Sequence, residues 1–192
     1  MHSMRWRRPG LAWLAAFLCA AAGAAAQAQD EGRFEIRNAY VERVNGEWML
    51  DVRLDLALAD AARQAFEEGV PLVLELEAEA SVERRFLPDE TVVSLTRQWQ
   101  LAYDAISQRY VVTDVATGEQ ATHGTQEDAL AALARPSAIR IADDATLPAD
   151  SRFGMRVRAS VEVGELPAAI KMLLFWRSWS RSTDWYAWSV RP

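Results

Sequence analysis

The chain has 192 residues, of which 25% are charged, and its formal net charge is −6 with two histidines and one cysteine. A chain this acidic is a poor candidate for binding nucleic acid, because phosphates repel it. His123 is the only histidine beyond the first thirty residues, so a metal site built from several histidines is excluded there. Cys19 has no second cysteine with which to form a disulfide.

The first 28 residues have the features of a signal peptide. Three arginines precede an apolar run from Leu11 to Ala26, which ends in small residues and an A-x-A cleavage motif. The run is shorter than the roughly 20 residues that a membrane-spanning helix needs. We therefore expect a cleaved signal peptide over 1–28, a single β-rich domain over 29–192 and a periplasmic location. The alternative is a leader that stays in the inner membrane as an N-terminal anchor.

Apolar residues then alternate with polar ones, a pattern that predicts half-buried antiparallel strands. FEIRNAYVERV and EWMLDVRLDLAL form a predicted hairpin, because Asn45-Gly46 between them accepts the positive φ angles of a tight turn. PLVLELEAEASVERRF, VVSLTRQWQLAY and RFGMRVRASVEV are three further predicted strands. The positions expected to face the core are Trp48, Leu50, Val52, Leu54, Leu56, Leu58, Leu72, Leu74, Leu76, Ala78, Ala80, Val82, Val93, Leu95, Trp99, Leu101, Tyr103, Phe153, Met155, Val157, Ala159, Val161 and Val163.

Two short helices are predicted between strands. The first covers Ala59–Glu68, with Asp60 as its N-cap and Gly69 as its end. The second begins at Thr125 and ends before Pro136. Each follows strands and precedes another strand, so the helices are expected to connect strands of the sheets.

Two segments give no clear strand pattern. Glu165–Phe175 fits a helix, because Pro167 suits a first helical turn, but it fits an irregular segment equally well. Ala142–Asp150 reads ADDATLPAD and is predicted to be the longest surface loop.

Charge is distributed unevenly along the domain. Acidic residues dominate up to Ser151, whereas basic residues outnumber acidic ones from Arg152 to the end, where four tryptophans also lie. One interpretation is that strands from the two regions interleave and their charges pair across neighbouring strands. The other is a basic aromatic surface that binds an anionic partner.

The order of these segments resembles a known family. The hairpin around Asn45-Gly46, the runs ARQAFEEGVPLVLELE and LAYDAISQRYVV, the helix EDALAAL and the closing W-x-x-S…W-Y-x-W are similar to the exported proteobacterial family called domain of unknown function 4390. The resemblance covers nearly the whole chain after the leader and implies no activity, cofactor or catalytic residue. Members tend to be encoded beside an rRNA methyltransferase and a nitrogen-regulation-type sensor kinase, which implies an envelope partner in signalling.

Sequence signatures of common enzymes are absent. His123 lies in GEQATHGTQ, which is predicted to be a polar, exposed turn. No serine lies in G-x-S-x-G, Lys171 is not preceded by S-x-x-K, and neither glycine-rich nucleotide motif occurs. We therefore expect no catalytic residue, no metal and no cofactor.

Carboxylates leave one route to an enzyme, because a glycosidase needs only two of them, placed by the fold. Glu75, Glu77 and Glu79 alternate along one predicted strand, and such a row is usually the solvated face of a sheet. The alternative is a calcium site closed by a nearby loop.

The C-terminal tryptophans are the candidate binding residues. In a strand over Ser182–Val190, Tyr186, Trp188 and Val190 would face the core, and Trp185 the other side. Exposed tryptophan could stack on sugar rings of the cell wall, and KMLLFWRSWSR has the mixed composition of a membrane-surface segment. The ligand- or partner-binding candidates are Trp176, Arg177, Trp179, Arg181 and Trp185.

The sequence thus predicts a mainly β protein, an antiparallel β-sandwich-like domain with two short helices in its connections. Its expected role is non-catalytic: an interaction module for an envelope protein such as a sensor kinase, or a binder of a cell-wall component, with membrane-surface contact as a further option. The alternatives are a cell-wall carbohydrate binder and a carboxylate-dependent glycosidase. A partner module should show an apolar or β-edge patch without a pocket. A binder should show Trp176, Trp179 or Trp185 exposed along a groove. A glycosidase should show two carboxylates facing each other in a cleft, about 5 to 9 Å apart.

Overall fold

The computed structural model describes residues 32–82, 84, 89–147, 150, 152–164 and 180–191. Within them lie ten strands and two helices. In chain order they are β1 (Arg33–Val44), β2 (Glu47–Ala57), α1 (Asp60–Glu67), β3 (Leu72–Val82), β4 (Glu90–Asp104), β5 (Arg109–Asp114), β6 (Gln120–His123), α2 (Gln126–Leu133), β7 (Ile139–Asp143), β8 (Phe153–Val163), β9 (Ser180–Ser182) and β10 (Tyr186–Val190).

The strands form two antiparallel sheets that share one hydrophobic core. The smaller sheet has the order β1-β2-β7, and the larger has the order β10-β8-β3-β4-β5-β6, with β9 also paired to β8. Trp48 of the smaller sheet packs edge-on against Phe153 of the larger, with ring centroids 5.1 Å apart. The predicted fold class, mainly β with antiparallel sheets and two helices, is confirmed.

The first hairpin forms as its sequence indicates. Asn45 and Gly46 have φ angles of 54° and 84°, which a tight two-residue turn requires. The core-facing residues of β1 have even numbers before residue 37 (Phe34, Ile36) and odd numbers after it (Ala39, Val41). A bulge between Ile36 and Asn38 inserts one extra residue, so both sets face the core.

The alternating pattern also places the core correctly in β2, β3 and β8. Their inward residues are buried from Trp48 to Leu54, from Leu72 to Ala80 and from Phe153 to Val161. The pattern is weaker in β4, where Leu101 is fully buried while Tyr103 remains 42% exposed. Tyr103 instead stacks on Tyr110 of β5, with ring centroids 5.0 Å apart, because it lies at the end of the sheet.

Both helices form near their predicted positions. Helix α2 begins after Thr125, whose Oγ1 accepts a hydrogen bond from the backbone N–H of Asp128 at 3.1 Å, as the sequence predicts. The predicted cap of α1 is wrong, because Asp60 is already helical and Ala59 occupies the N-cap without a side-chain bond. The Asp60 carboxylate instead accepts a hydrogen bond from Arg63 at 3.3 Å.

The predicted loop Ala142–Asp150 is partly wrong. Ala142 and Asp143 belong to β7, and Leu147 is fully buried. The backbone carbonyl of Leu147 accepts a 2.7 Å hydrogen bond from the indole Nε1 of Trp48, which fastens this turn to the core. This polar segment thus places one leucine in the core, although its composition predicts an exposed loop.

The two sides of the sandwich are bordered by different elements. On one side, α2 connects β6, an edge of the larger sheet, with β7, an edge of the smaller sheet. The opposite side is bordered by β1 and by β9 and β10. Helix α2 packs against β4, β5 and β6, whereas no described helix lies between β1 and β10.

Candidate binding surfaces

The structure describes two of the five predicted binding residues. Trp176, Arg177 and Trp179 lie outside the described residues. Arg181 is exposed in the short strand β9, and Trp185 is half-buried between β9 and β10. The predicted division of the last strand is confirmed, since Tyr186, Trp188 and Val190 pack against the core while Ala187 and Ser189 are exposed.

Trp185 lies on the outer face of the larger sheet against two arginines of β8. The guanidinium carbons of Arg156 and Arg158 are 4.6 and 4.9 Å from the centre of its ring. These are favourable cation–π distances. A sugar ring that stacked on Trp185 would compete with these guanidinium groups, so the arrangement is unfavourable for a carbohydrate platform.

The same arginines pair with the row of glutamates on β3. Arg156 donates to Glu79 at 2.8 Å, and Arg158 donates to Glu77 at 2.6 Å. The acidic strand and the basic strand are neighbours in the sheet, so the interpretation of interleaved charges is confirmed for these pairs. Glu75 accepts a 2.7 Å hydrogen bond from Gln98 of β4.

A depression with a volume of ≈ 500 Å³ lies beside this row, above Gly154 of β8. It is lined by two acidic side chains, Glu79 and Asp89, together with Arg156 and Trp188. Since Glu79 is engaged by Arg156, the pair does not have the arrangement of two unshielded carboxylates across a cleft that a glycosidase uses.

Four aspartates have pKa values below their ordinary range, and in each case hydrogen-bond donors are the largest cause. Arg37 and then Arg33 lower the pKa of Asp55, and Arg43 lowers that of Asp144. The backbone N–H of Ile106 lowers the pKa of Asp104, and Thr146 lowers that of Asp143. All four shifts have the opposite sign to that of a catalytic general acid, whose pKa must be raised.

The position and exposure of His123 differ from those that the sequence predicts. It is the last residue of β6, paired with Tyr110 of β5, and is half-buried, so the prediction of an exposed turn is wrong. Its Nε2 atom is buried and has no hydrogen-bond partner in the described parts of the chain. Strand β6 has four polar or small residues, too few for an alternating pattern to be recognised in the sequence.

An open groove runs along the side of the sandwich bordered by β1. We call it the edge groove, and its two adjoining parts have volumes of ≈ 440 and ≈ 320 Å³. It brings the described candidates Arg181 and Trp185 beside the start of β1. Its lining is Gly32, Arg33, Phe34, Glu35, Ile36, Ala57, Arg181, Ser182, Thr183, Asp184, Trp185 and Tyr186.

Strand β1 leaves one edge unpaired within the described residues, because it pairs with β2 alone. Val44 and Glu47 flank the two-residue turn, and in such a hairpin the two flanking residues exchange backbone hydrogen bonds. Along β1, the backbone N–H and C=O groups of successive residues then point alternately toward β2 and away from it. The backbone groups of Ala39, Val41 and Arg43 therefore point away from β2. The sequence predicted the strand but did not indicate that it would be at an edge.

Among the described residues, no group of three or more histidine, cysteine, aspartate or glutamate side chains is placed to hold a metal ion. Neither helix of the described chain has the length and apolar character to cross a membrane.

The fold and its surfaces define an antiparallel β-sandwich domain with a groove along one open side. Its sequence matches, over residues 31–189, the family described as Domain of unknown function (DUF4390). The chain belongs to this family. No curated protein and no solved structure matches it.

Proposed function

We propose that this protein is an exported, non-catalytic interaction module of the cell envelope that binds an extended segment of a partner protein along β1. Export is supported by the basic and apolar leader with its A-x-A motif. The single observation that carries the binding role is the edge of β1, to which no strand of the described chain pairs and which lies beside the edge groove.

An unpaired strand edge offers backbone donors and acceptors that an extended segment can complete, while neighbouring side chains select its sequence. Phe34 and Ile36 of β1 and Trp185 across the groove supply apolar contacts. Glu35 and Asp184 lie in the groove with Arg33 and Arg181, so a bound segment meets both signs of charge.

Charged side chains along β1 also discourage indiscriminate pairing of edges. Arg43 pairs with Asp144, and Arg37 donates to Asp55 at 2.7 Å. These pairs hold charge next to the edge that the described strands leave unpaired, so a binding segment must carry a compatible sequence. That requirement suits a specific partner such as an envelope sensor kinase.

The test combines a photo-crosslinking residue with a backbone change. The crosslinker replaces the exposed Glu35, in cells that produce the full chain, and the control replaces the exposed Thr96 on β4. Val41→Pro removes one N–H that points away from β2, so no β1–β2 hydrogen bond is lost, and proline is tolerated at such edge positions. Glu42→Pro is the matched change that breaks a bond to β2.

We expect a defined adduct from position 35, none from position 96, and loss of the adduct in Val41→Pro with an unchanged circular dichroism spectrum. Glu42→Pro should unfold the hairpin. An adduct that survives Val41→Pro in a folded protein, or one that forms equally from position 96, would show that the edge of β1 is not the binding site.

A further inference from the structure

The side of the sandwich bordered by β1 and β10 leaves apolar side chains of both sheets only partly covered, and we call it the open side. Among the described strands, β1 pairs only with β2, and β10 pairs only with β8. Apolar surface left in water is stabilised when a further segment covers it. The hydrophobic residues of these two strands that pack against the core without being fully buried are Phe34, Ile36, Val41, Tyr186, Trp188 and Val190.

Strands β1 and β10 lie across from each other along the open side. The first residues of both strands line the edge groove. Trp48, which pairs with Arg43 near the end of β1, packs on Phe153, and Phe153 pairs with Val190 at the end of β10. A segment added to β1 would therefore place its inward side chains between the two sheets, next to β10.

The backbone of β1 determines which side chains of such a segment turn inward. The backbone groups of Ala39, Val41 and Arg43 point away from β2. In agreement with this direction, Val52, the partner of Ala39, donates its N–H to the carbonyl of Pro136 on the other side of β2. The side chains of Ala39 and Val41 face the core, and directly paired residues of neighbouring strands share one face of a sheet. Segment residues paired with them therefore point inward, and the residues between them point to the outer face.

The bulge in β1 limits how long this pairing can be. The extra residue between Ile36 and Asn38 interrupts the regular alternation of the strand. The uninterrupted part covers residues 38–44, and its outward backbone groups lie at alternate positions. A short segment of alternating residues is therefore sufficient to complete it.

The outer face of this same part of β1 favours positive charge on the segment. Tyr40 is 46% exposed, and Glu42, on the same face, is an exposed carboxylate. Asp51 of β2 lies opposite Tyr40 and adds a second carboxylate. Arg37 and Arg43 are paired with aspartates, so they do not neutralise Glu42. A basic side chain on the segment would contact the Glu42 carboxylate and lie against the Tyr40 ring.

We propose that the segment bound along β1 is a short amphipathic strand in which apolar residues alternate with lysine or arginine. Its apolar side chains enter the open side between β1 and β10, and its basic side chains lie on the outer face beside Tyr40 and Glu42. This inference rests on the proposed function and deepens it, because it states the chemistry of the segment that β1 binds.

The experiment uses three fluorescein-labelled peptides with glycine-serine ends and the cores Val-Lys-Val-Lys-Val, Val-Glu-Val-Glu-Val and Val-Val-Val-Lys-Lys. The third core keeps the composition of the first without its alternation. Fluorescence anisotropy measures their binding to the protein purified after export of the full chain. We expect the first peptide to bind about tenfold more tightly than either of the others. The second places like charge beside Glu42, and the third turns a lysine toward the core.

Substitutions in the protein test the two faces separately. Glu42→Lys should reverse the preference between the first two peptides. Glu119→Lys makes the same charge change between β5 and β6, at the opposite edge of the larger sheet, and should leave the preference unchanged. Val41→Pro should abolish binding of the first peptide, because it removes an N–H that points away from β2. Circular dichroism checks that each variant is folded.

Equal affinities for the three peptides, including no binding by any of them, would overturn this inference, and so would a preference that Glu42→Lys leaves unchanged. Binding that survives Val41→Pro in a folded protein would place the peptide elsewhere and would also overturn it. Crosslinking from position 35 in cells is a separate readout. An adduct that depends on Val41, found together with equal peptide affinities, would support the proposed function and refute only the alternating basic segment.

Discussion

Trp48 gives a direct measure of how the two sheets are held together, because it bonds the turn after β7 and packs against Phe153 of the larger sheet. Trp48 is buried, its indole N–H donates to the Leu147 carbonyl at 2.7 Å, and its ring packs against Phe153. Trp48→Phe removes the donor and leaves a buried carbonyl unsatisfied, which costs about 1–3 kcal/mol. The smaller ring also leaves a cavity, and together we expect a loss of about 3 kcal/mol in the free energy of unfolding.

The assay is urea unfolding followed by far-ultraviolet circular dichroism, because loss of a tryptophan alters fluorescence directly. The free energy comes from linear extrapolation, and an unchanged slope shows that the variant changed stability and not compactness. Trp185→Phe is the matched control. It weakens contacts with Arg156 and Arg158 at a partly exposed site and should cost about 1 kcal/mol or less. Equal losses for the two variants would refute the assignment of Trp48 to the joint between the sheets.

Three further predictions follow from single sites. His123→Leu should raise the free energy of unfolding by about 1 kcal/mol, because the buried Nε2 lacks a partner in the described chain, and a lower thermal midpoint would contradict this. Gly46→Ala should lower it by about 1 kcal/mol, since φ is 84° there, and an unchanged urea midpoint would exclude strain. The four aspartates with lowered pKa values stabilise the fold above pH 3.8, the ordinary pKa of the side chain, and this contribution is lost as the pH falls through the lower folded pKa values. The urea midpoint should therefore decrease in that pH range, and it should decrease less steeply in Asp144→Asn. An equal decrease in both proteins would contradict the role of Arg43.

The strands were predictable where one face is buried along the whole element. In β2, β3 and β8 alternate residues are apolar and enter the core while most of the residues between them are polar, so the period of two is visible in the letters alone. Strands β6 and β7 are only four and five residues long. Strand β7 pairs with β2, which is distant in sequence, whereas β6 pairs with the preceding strand β5. Tertiary contacts determine such short strands, and local patterns do not reveal them.

The candidate site was less predictable than the core. The sequence singled out Arg177 and Arg181 as the basic residues near the C-terminal tryptophans, whereas the structure brings Arg156 and Arg158 of β8 to Trp185. The pairing of β8 with β10 places those side chains together. Likewise, which strand lies at an edge depends on the order of all strands in the sheet, and no local pattern encodes that order.

The pairing of Glu162 with Ser180 has a consequence for how this protein can vary. Strands β8 and β9 are neighbours in the sheet, so the chain leaves Gly164 and reaches Ser180 at nearby points. Doubling the length of a flexible loop costs only about 0.6 kcal/mol in closure entropy. A change in the number of residues between β8 and β9 therefore costs the sandwich little in closure entropy.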